Sequence, residues 1–350
     1  MLYSFLFAAC NKQVEPEKVA DIPALPSPVA EMYAVGKSNP TDGLVMRAVS
    51  DLPWDEALSG AAASLGLNDW PNPRLVDAKW AAVISGYPYE VLQVVSGSVP
   101  ISEYPDGLSR QIRGMIRPGQ HVGLSRIRRG TEDVWIGLIG AGGPSLTAFP
   151  REIASGVQLK IESPASQWRV LTPDGAVRTG MNPLQLDLNQ RGAWWLELSN
   201  ADGVFVSAPI FIDEKTPPTN WFPDLYAVVG PGEVKDLTLE AINVIRHRHD
   251  LPELKVEGAL ETLSHHPLEQ LKTDTWERER GEERLIDAGY GGGPVAQLAC
   301  MGSEIGSCLD EIAWSLDGRA AILNPNLRSV GVGAYVETKG IALIINMASD

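Results

Sequence analysis

The final third of the chain changes its hydrophobic period along its length. Asp236 or Thr238 is placed to cap the first turn of a predicted helix. Pro252 ends that helix, because the residue before a proline is pushed out of the α region. Two alternating apolar runs between residues 330 and 345 predict a pair of β-strands joined by a turn. The apolar residues at helical spacing are Leu237, Ala241, Val244 and Ile245.

The middle of the chain has the pattern of short β-strands. Apolar residues recur along about six short segments between residues 156 and 213, which predicts a small β-sandwich. The last two of these predicted strands lie around residues 204–206 and 210–212. Trp194 and Trp195 are adjacent on one of these strands, so one ring points to each face of the sheet. We expect one ring in the core. The other is either covered by a neighbouring domain or exposed and able to contact a glycan or a partner.

The region before the sandwich mixes both periods. Helices are predicted after Asp51 and over residues 75–85, and strands are predicted around residues 122–124 and 134–139, which together indicate an α/β module.

This N-terminal module shares an ordered set of residues with the final third of the chain. The offsets between matched residues rise from 203 to 204, 207 and 208, as expected for two copies with small insertions. Each match is only one or two residues long, so duplication and coincidence both stay open. The matches pair Gly86-Tyr87 with Gly289-Tyr290, Gln93 with Gln297, Pro118 with Pro325, and Val122-Gly123 with Val330-Gly331.

Composition narrows the class of partner. The 350 residues are 44% hydrophobic and well patterned, which indicates folded cores. The net charge of −15 argues against a nucleic-acid-binding protein, since such a protein needs a basic face to displace counterions from phosphate.

The first ten residues, MLYSFLFAAC, resemble the end of a bacterial lipoprotein signal, in which small residues precede a cysteine that becomes lipidated. No basic residue precedes the apolar run, and the alternative is a buried strand with a free cysteine. Residues 11–44 are rich in proline and predict a tether between an anchor at Cys10 and the folded body. No run approaches the ~20 apolar residues that span a bilayer. We therefore expect a lipid-anchored, extracytoplasmic protein.

The cysteine count fits this expectation. If Cys10 carries lipid, Cys300 and Cys308 remain as an even pair, and an oxidising compartment permits a disulfide between them. Two separately buried thiols are the alternative.

An ordered set of residues in the final third resembles the CAP superfamily of cysteine-rich secretory, antigen 5 and pathogenesis-related 1 proteins. The resemblance implies an α–β–α sandwich over residues 236–350 and an α+β fold class for the chain; an unrelated α/β domain with a similar pattern is the alternative. The set comprises Ile242-Asn243, Arg246, Leu251, Leu254, Arg284, Gly289-Tyr290, Trp314-Ser315, Arg319, Ile322-Leu323, Pro325 and Val330 to Gly333.

The predicted organisation of the chain follows from these patterns. It comprises a lipoprotein signal remnant (1–10), the tether (11–44), an N-terminal α/β module (45–145), a β-sandwich (146–214), a linker (215–235) and the CAP-like domain (236–350).

The chain departs from the family where a metal would bind. Members with an intact cavity hold two histidines and two glutamates that bind a divalent metal. Here Gly318 and Gln297 replace one histidine and one glutamate, and the second histidine would fall near Thr273 or Asp274. Glu311 is the nearest candidate for the remaining glutamate. A zinc site needs about three or four ligands, so we expect no metal, no cofactor and no catalytic residue.

The residues therefore favour binding over catalysis. Our first hypothesis is a non-catalytic CAP-like module that binds an envelope ligand (a lipid, a glycan or a protein) through a cavity containing Gln297, Arg319 and Glu311. A CAP-type metal-dependent hydrolase with a rearranged site is one alternative, and a structural spacer is the other.

Overall fold

The fold is α+β, as the sequence predicts, and contains three modules. The computed structural model describes residues 32–33, 52–68, 73–103, 106–129, 131–217, 231–273, 275–277, 280–302, 305–337 and 340–349. The predicted lipidation residue Cys10 lies outside these residues. Of the predicted tether only β1 (Met32–Tyr33) is described, and it is not a free spacer, because it pairs with β5 (Phe149–Pro150).

The N-terminal module is a three-stranded antiparallel sheet between helices. The strand order is β2-β4-β3, with α1 packed on one face and α3 on the other. Its elements are α1 (Glu56–Asn68), α2 (Leu75–Ile84), β2 (Val91–Pro100), α3 (Asp106–Arg113), β3 (His121–Arg129) and β4 (Glu132–Gly140).

The middle module has a five-stranded sheet in the order β6-β12-β11-β8-β9 and a two-stranded sheet, β7 with β10. Two predictions need correction. Strand β9 was not predicted, and the two short strands expected around residues 204–206 and 210–212 are one continuous strand, β12. The elements are β6 (Glu152–Ile153), β7 (Val157–Ile161), β8 (Gln167–Leu171), β9 (Val177–Met181), β10 (Leu184–Leu188), β11 (Gly192–Asn200) and β12 (Gly203–Ile212).

The C-terminal module is an α–β–α sandwich, as expected. Its sheet has the order β13-β15-β16-β14. The elements are α4 (Pro231–Arg248), β13 (Lys255–Val256), α5 (Gly258–Leu263), α6 (His265–Lys272), α7 (Gly281–Leu285), a π-helical turn (Ile286–Tyr290), β14 (Val295–Gly302), α8 (Ile305–Trp314), α9 (Leu316–Ile322), β15 (Ser329–Glu337) and β16 (Gly340–Ala348).

The first helix of this module begins earlier than the sequence predicts. It starts at Pro231, so Asp236 lies inside it rather than at its cap. Thr238 is also interior, and its hydroxyl donates to the Val234 carbonyl at 2.7 Å. The helix ends at Arg248, close to the predicted stop. Among the described residues, no helix combines the length and the apolarity needed to cross a membrane.

The two α/β modules share one topology. In each, an edge strand and a helix precede a β-hairpin, and the edge strand pairs with the second strand of that hairpin. The residue before a helix also bonds to the first strand of the hairpin in both modules. Before α1, Asp55 N donates to Val122 O at 3.0 Å, and before α5, Glu257 N donates to Val330 O at 2.9 Å. Val122-Gly123 and Val330-Gly331 therefore occupy equivalent positions, but Gln93 and Gln297 do not. Gly123 and Gly331 pair with Leu138 and Asn346, whose partners on the edge strands are Val94 and Gln297. The shared topology is the pattern expected of a duplicated module.

Close glycine packing holds a helix against the sheet in both modules. A Cβ at Gly123 would lie 2.2 Å from the Leu58 carbonyl carbon of α1, and one at Gly331 would lie 2.1 Å from Glu261 N of α5. No side chain fits either gap, so both helices approach the sheet backbone as closely as only glycine permits.

The first prediction tests this packing. Gly331→Ala should lower the free energy of unfolding by about 3 kcal/mol, because helix α5 must move away from β15. Chemical denaturation measures the change. Gly258→Ala is the matched control, since a Cβ there has nothing within 4 Å, and it should leave stability within about 0.5 kcal/mol of wild type. Equal effects of the two substitutions would contradict the packing account.

A partly buried ion pair joins the N- and C-terminal modules. Arg74, just before α2, lies 2.7 Å from the Asp310 carboxylate of α8. Burial raises the pKa of Asp310 to about 6, and the nearby Arg74 guanidinium offsets this only partly. Because this pKa is above the unfolded value, the stability that Asp310 contributes is lost as the pH rises through about 6.

The second prediction follows from that sign. Between pH 4 and pH 7, wild type should lose up to about 3 kcal/mol of stability relative to Asp310→Asn, whose side chain stays neutral. Urea denaturation at pH 4, 5.5 and 7 measures the difference. Asp202→Asn, in an exposed turn, should keep the wild-type profile. A constant difference between Asp310→Asn and wild type across these pH values would refute the assignment.

Candidate functional site

A cavity of about 780 Å³ lies between the C-terminal module and the β-sandwich. Strand β14, helices α8 and α9 and the segment preceding β15 form one side, and Gly175 and Val177 of the β8–β9 hairpin approach from the sandwich. Polar residues lie among the apolar lining: Trp276, Glu282, Gln297, Glu311, Ser315, Asp317 and Asn324.

Gln297 is buried in this cavity wall, and both its amide nitrogen and its amide oxygen are hydrogen-bonded. Asn346 Nδ2 donates to the Leu260 carbonyl at 2.9 Å, which leaves Asn346 Oδ1 to accept from Gln297 Nε2 at 2.8 Å. Gln297 Oε1 then accepts from Trp276 Nε1 and from Arg284 Nη1, both at 3.3 Å. This chain of donors and acceptors requires a neutral amide at position 297, since a carboxylate has no donor for Asn346.

A glycine makes room for this network. Gly281 is the first residue of α7, and a Cβ there would lie 3.0 Å from Gln297 Cβ. The absence of a side chain lets α7 approach β14 closely enough for Arg284, one turn later, to reach the amide oxygen.

Glu311 also lines the cavity, on α8, and its side chain is exposed. Its Oε2 lies 3.8 Å from Cys300 Sγ. The structure joins Cys300 to Cys308 in a disulfide with a Cα–Cα distance of 5.5 Å. The bond fixes the start of α8 to strand β14, and thereby sets the position of Glu311 relative to the strand.

The structure places Arg319, the third predicted cavity residue, away from Gln297. Its guanidinium is buried 4.7 Å from the ring centre of Trp195, and Trp195 in turn packs edge-on against Trp314 at 5.0 Å. Burial lowers the pKa of Arg319 to about 9. Arg319 therefore joins α9 to the sandwich. Trp194 and Trp195 are both buried, so an exposed ring at this pair is excluded.

Position 318, where the resemblance places a histidine, cannot hold a side chain. A Cβ at Gly318 would lie 2.0 Å from the Ile312 carbonyl oxygen. Thr273 is exposed, and Asp274 lies outside the described residues. Among the residues that the structure describes, no three of His, Cys, Asp or Glu lie together in an arrangement that could hold a metal ion.

The described lining carries negative charge and no basic side chain. Glu282, Glu311 and Asp317 contribute carboxylates, and Arg169 of the sandwich pairs with Asp317. A ligand in this cavity can form hydrogen bonds with the carboxylates and with backbone groups, and it can pack against the aromatic ring of Trp276. No local sequence pattern predicts the roles of Trp276 and Asn346, because their hydrogen bonds with Gln297 cross 21 and 49 residues.

Comparison with known proteins gives only weak likenesses. No family model and no curated protein matches the chain. The solved structures similar to it include three with identities of 14% or less and TM-scores of 0.30 or less, values at which no function is carried over. They are an outer surface protein from Borrelia burgdorferi (13% identity, TM-score 0.29, 33% of this chain and 90% of that chain), a cysteine-rich secretory protein from Staphylococcus aureus (13%, 0.28, 45% and 56%) and an extracellular protein containing an SCP domain from Bacillus anthracis (14%, 0.30, 65% and 67%).

The third prediction tests the requirement for an amide. Gln297→Glu should destabilise the protein at pH 7 by about 1–3 kcal/mol, because the new oxygen faces Asn346 Oδ1 in a buried site. Protonation turns the carboxylate into a donor, so the loss should shrink toward pH 4. Gln93→Glu places the same change at an exposed position of β2, the edge strand of the N-terminal module, and should have little effect. An unchanged free energy of unfolding for Gln297→Glu would reject the network.

Proposed function

We propose that this protein is an extracytoplasmic, lipid-anchored binding protein whose C-terminal module is a non-catalytic CAP-like domain. The observation that carries the proposal is the cavity along β14, in which a neutral, hydrogen-bonded Gln297 amide replaces the expected carboxylate. The cavity is in the size range of about 300–1,000 Å³ typical of small-molecule sites. Binding, rather than bond cleavage, is the function that such a site supports.

Two features argue against catalysis at the positions where the resemblance places it. A general base needs an ionisable group within hydrogen-bond reach of its substrate, and position 297 holds an amide, which does not ionise, in place of the expected carboxylate. A metal would need replacement ligands, because Gly318 has no room for a histidine. Glu282 and Glu311 remain exposed to the cavity, where they can attract a ligand electrostatically.

The acidic lining defines which ligands fit. Coulomb repulsion from the carboxylates disfavours anions, whereas a neutral polar or a cationic molecule gains hydrogen bonds and charge attraction. Trp276 adds an aromatic surface beside Gln297.

Two sequence features support the proposed location. Cys10 ends an apolar segment with small residues before it, and the Cys300–Cys308 disulfide is a bond that persists in oxidising compartments.

The fourth prediction tests binding directly. Amino-acid amides, polyamines and monosaccharides are titrated into the whole chain while the indole N–H resonance of Trp276 is followed by NMR. At least one probe should shift this resonance. Ala320→Trp fills the cavity and should abolish the shift, whereas Ala63→Trp, on an exposed face of α1, should leave it unchanged.

Two outcomes would contradict the proposal. If no probe shifts the Trp276 resonance, the alternative hypothesis of a structural spacer is favoured. Calorimetric titration with zinc and calcium should give no binding. Stoichiometric binding tighter than about 10 μM, roughly −7 kcal/mol, that is lost in Glu311→Gln would instead favour a metal-dependent site.

A further inference from the structure

The cavity follows the free edge of a β-strand. Strand β14 is the outermost strand of its sheet and pairs only with β16 within the described structure. All five residues from Val295 to Ala299 line the cavity. Since successive side chains of a strand point to opposite faces, five consecutive lining residues place the cavity along the edge of the strand rather than over one face.

The phase of the ladder shows which backbone groups point outward. Ser349 N donates to Pro294 O at 3.0 Å, so this pair is a hydrogen-bonded one. Antiparallel pairs alternate in type, and the next residue, Val295, therefore directs its N–H and C=O away from β16. Gln297 and Ala299 follow with the same orientation. No hydrogen bond within the described residues engages these outward groups.

The opposite strand pair gives an independent check of this phase. Glu257 N donates to Val330 O, so the Val330 carbonyl points away from β16. The register pairs Val330 with Met347 and Ala296 with Met347. Val330 and Met347 are therefore opposite each other without hydrogen bonds between them, so Met347 directs its backbone groups toward β14. Ala296 is hydrogen-bonded to Met347, and the residues on either side of Ala296, Val295 and Gln297, direct their backbone groups away from β16, as inferred above.

The wall facing β14 belongs to a second sheet edge. Val177 begins β9, which pairs only with β8 in the described sheet. Gly175 has a φ of 83° at the turn that precedes it. The cavity thus lies between two modules, each of which presents an outermost strand. Five residues of an extended chain span about 17 Å, which is the length of the cavity-lining part of β14.

We infer that this cavity binds an extended, basic peptide that adds to β14 as a further strand. The inference rests on the proposed binding function and specifies its ligand class. Three outward residues of β14 supply main-chain donors and acceptors, the usual basis of affinity in strand addition.

Charge selects the sequence of the peptide. Glu282 follows Gly281, which packs against Gln297 on one side of β14, and Glu311 lies on the α8 side, near Cys300. Because side chains of an added strand alternate between these sides, each side offers one carboxylate to a lysine or arginine of the peptide. The described residues that line the cavity include no lysine or arginine, and the two arginines beside it are engaged by Gln297 and Asp317.

The fifth prediction begins with selection of peptides from a library of random displayed heptapeptides on the whole chain. Enriched sequences should be rich in lysine and arginine and should lack proline. Glu282→Gln should weaken the best synthetic peptide about two- to fivefold, as expected for one exposed ion pair. Glu283→Gln is the matched control: it is exposed and adjacent but does not line the cavity, and it should leave affinity unchanged.

A second measurement separates strand addition from simple charge attraction. In an added strand, every second backbone N–H of the peptide donates to β14 and the others face away from it. Methylation of the nitrogens that face β14 should abolish binding, whereas methylation of the others should leave it unchanged. In the protein, Ala299→Pro removes an outward N–H inside the cavity and should reduce affinity at least tenfold. Met301→Pro removes the next outward N–H of the same strand, outside the cavity, and should not.

The outcomes distinguish the two proposals. If small probes shift the Trp276 resonance but no basic peptide is enriched, the binding function stands and strand addition is rejected. Enriched peptides that bind Glu282→Gln and Ala299→Pro as tightly as wild type would also reject it. If neither probes nor peptides bind, both proposals fail.

Discussion

The chain of amides from Gln297 through Asn346 to the Leu260 carbonyl is the interaction on which the C-terminal module depends. It crosses three elements, β14, β16 and α5, and every group in it has one role only. The carbonyl can only accept, so the orientation of each amide is determined in turn. As an edge strand, β14 forms backbone hydrogen bonds with one neighbour, β16. The amide chain adds side-chain hydrogen bonds to this attachment, on the face of β14 that packs against α7.

The sequence pattern predicts the positions of most helices and strands, but it does not predict the side-chain contacts between them. The alternating runs of the final hairpin appear as β15 and β16, and the strands of the middle module appear with one exception. Strand β9, with the sequence VRTGM, has no apolar alternation and was missed. Strand β12 was divided in two because Ser207, Ala208 and Pro209 interrupt its apolar run, although burial continues through all three.

The candidate site was predicted in part for a similar reason. A motif gives the position of a residue along the chain, but it does not give the direction of its side chain. Gln297 and Glu311 line the cavity, whereas Arg319 points from the same helical region toward Trp195. Trp276 and Asn346 contribute through contacts distant in sequence, for which hydrophobic periodicity has no signature. The geometry of the site is therefore a tertiary property.

The contact between Gly318 and the Ile312 carbonyl limits what can be engineered at this position. Any residue other than glycine at position 318 collides with the backbone of α8, so a histidine there requires a shift of that helix. The Cys300–Cys308 bond and the Arg74–Asp310 pair both connect α8 to other elements and resist such a shift. Installing a metal ligand at position 318 thus requires several coordinated changes, and a single substitution is not sufficient.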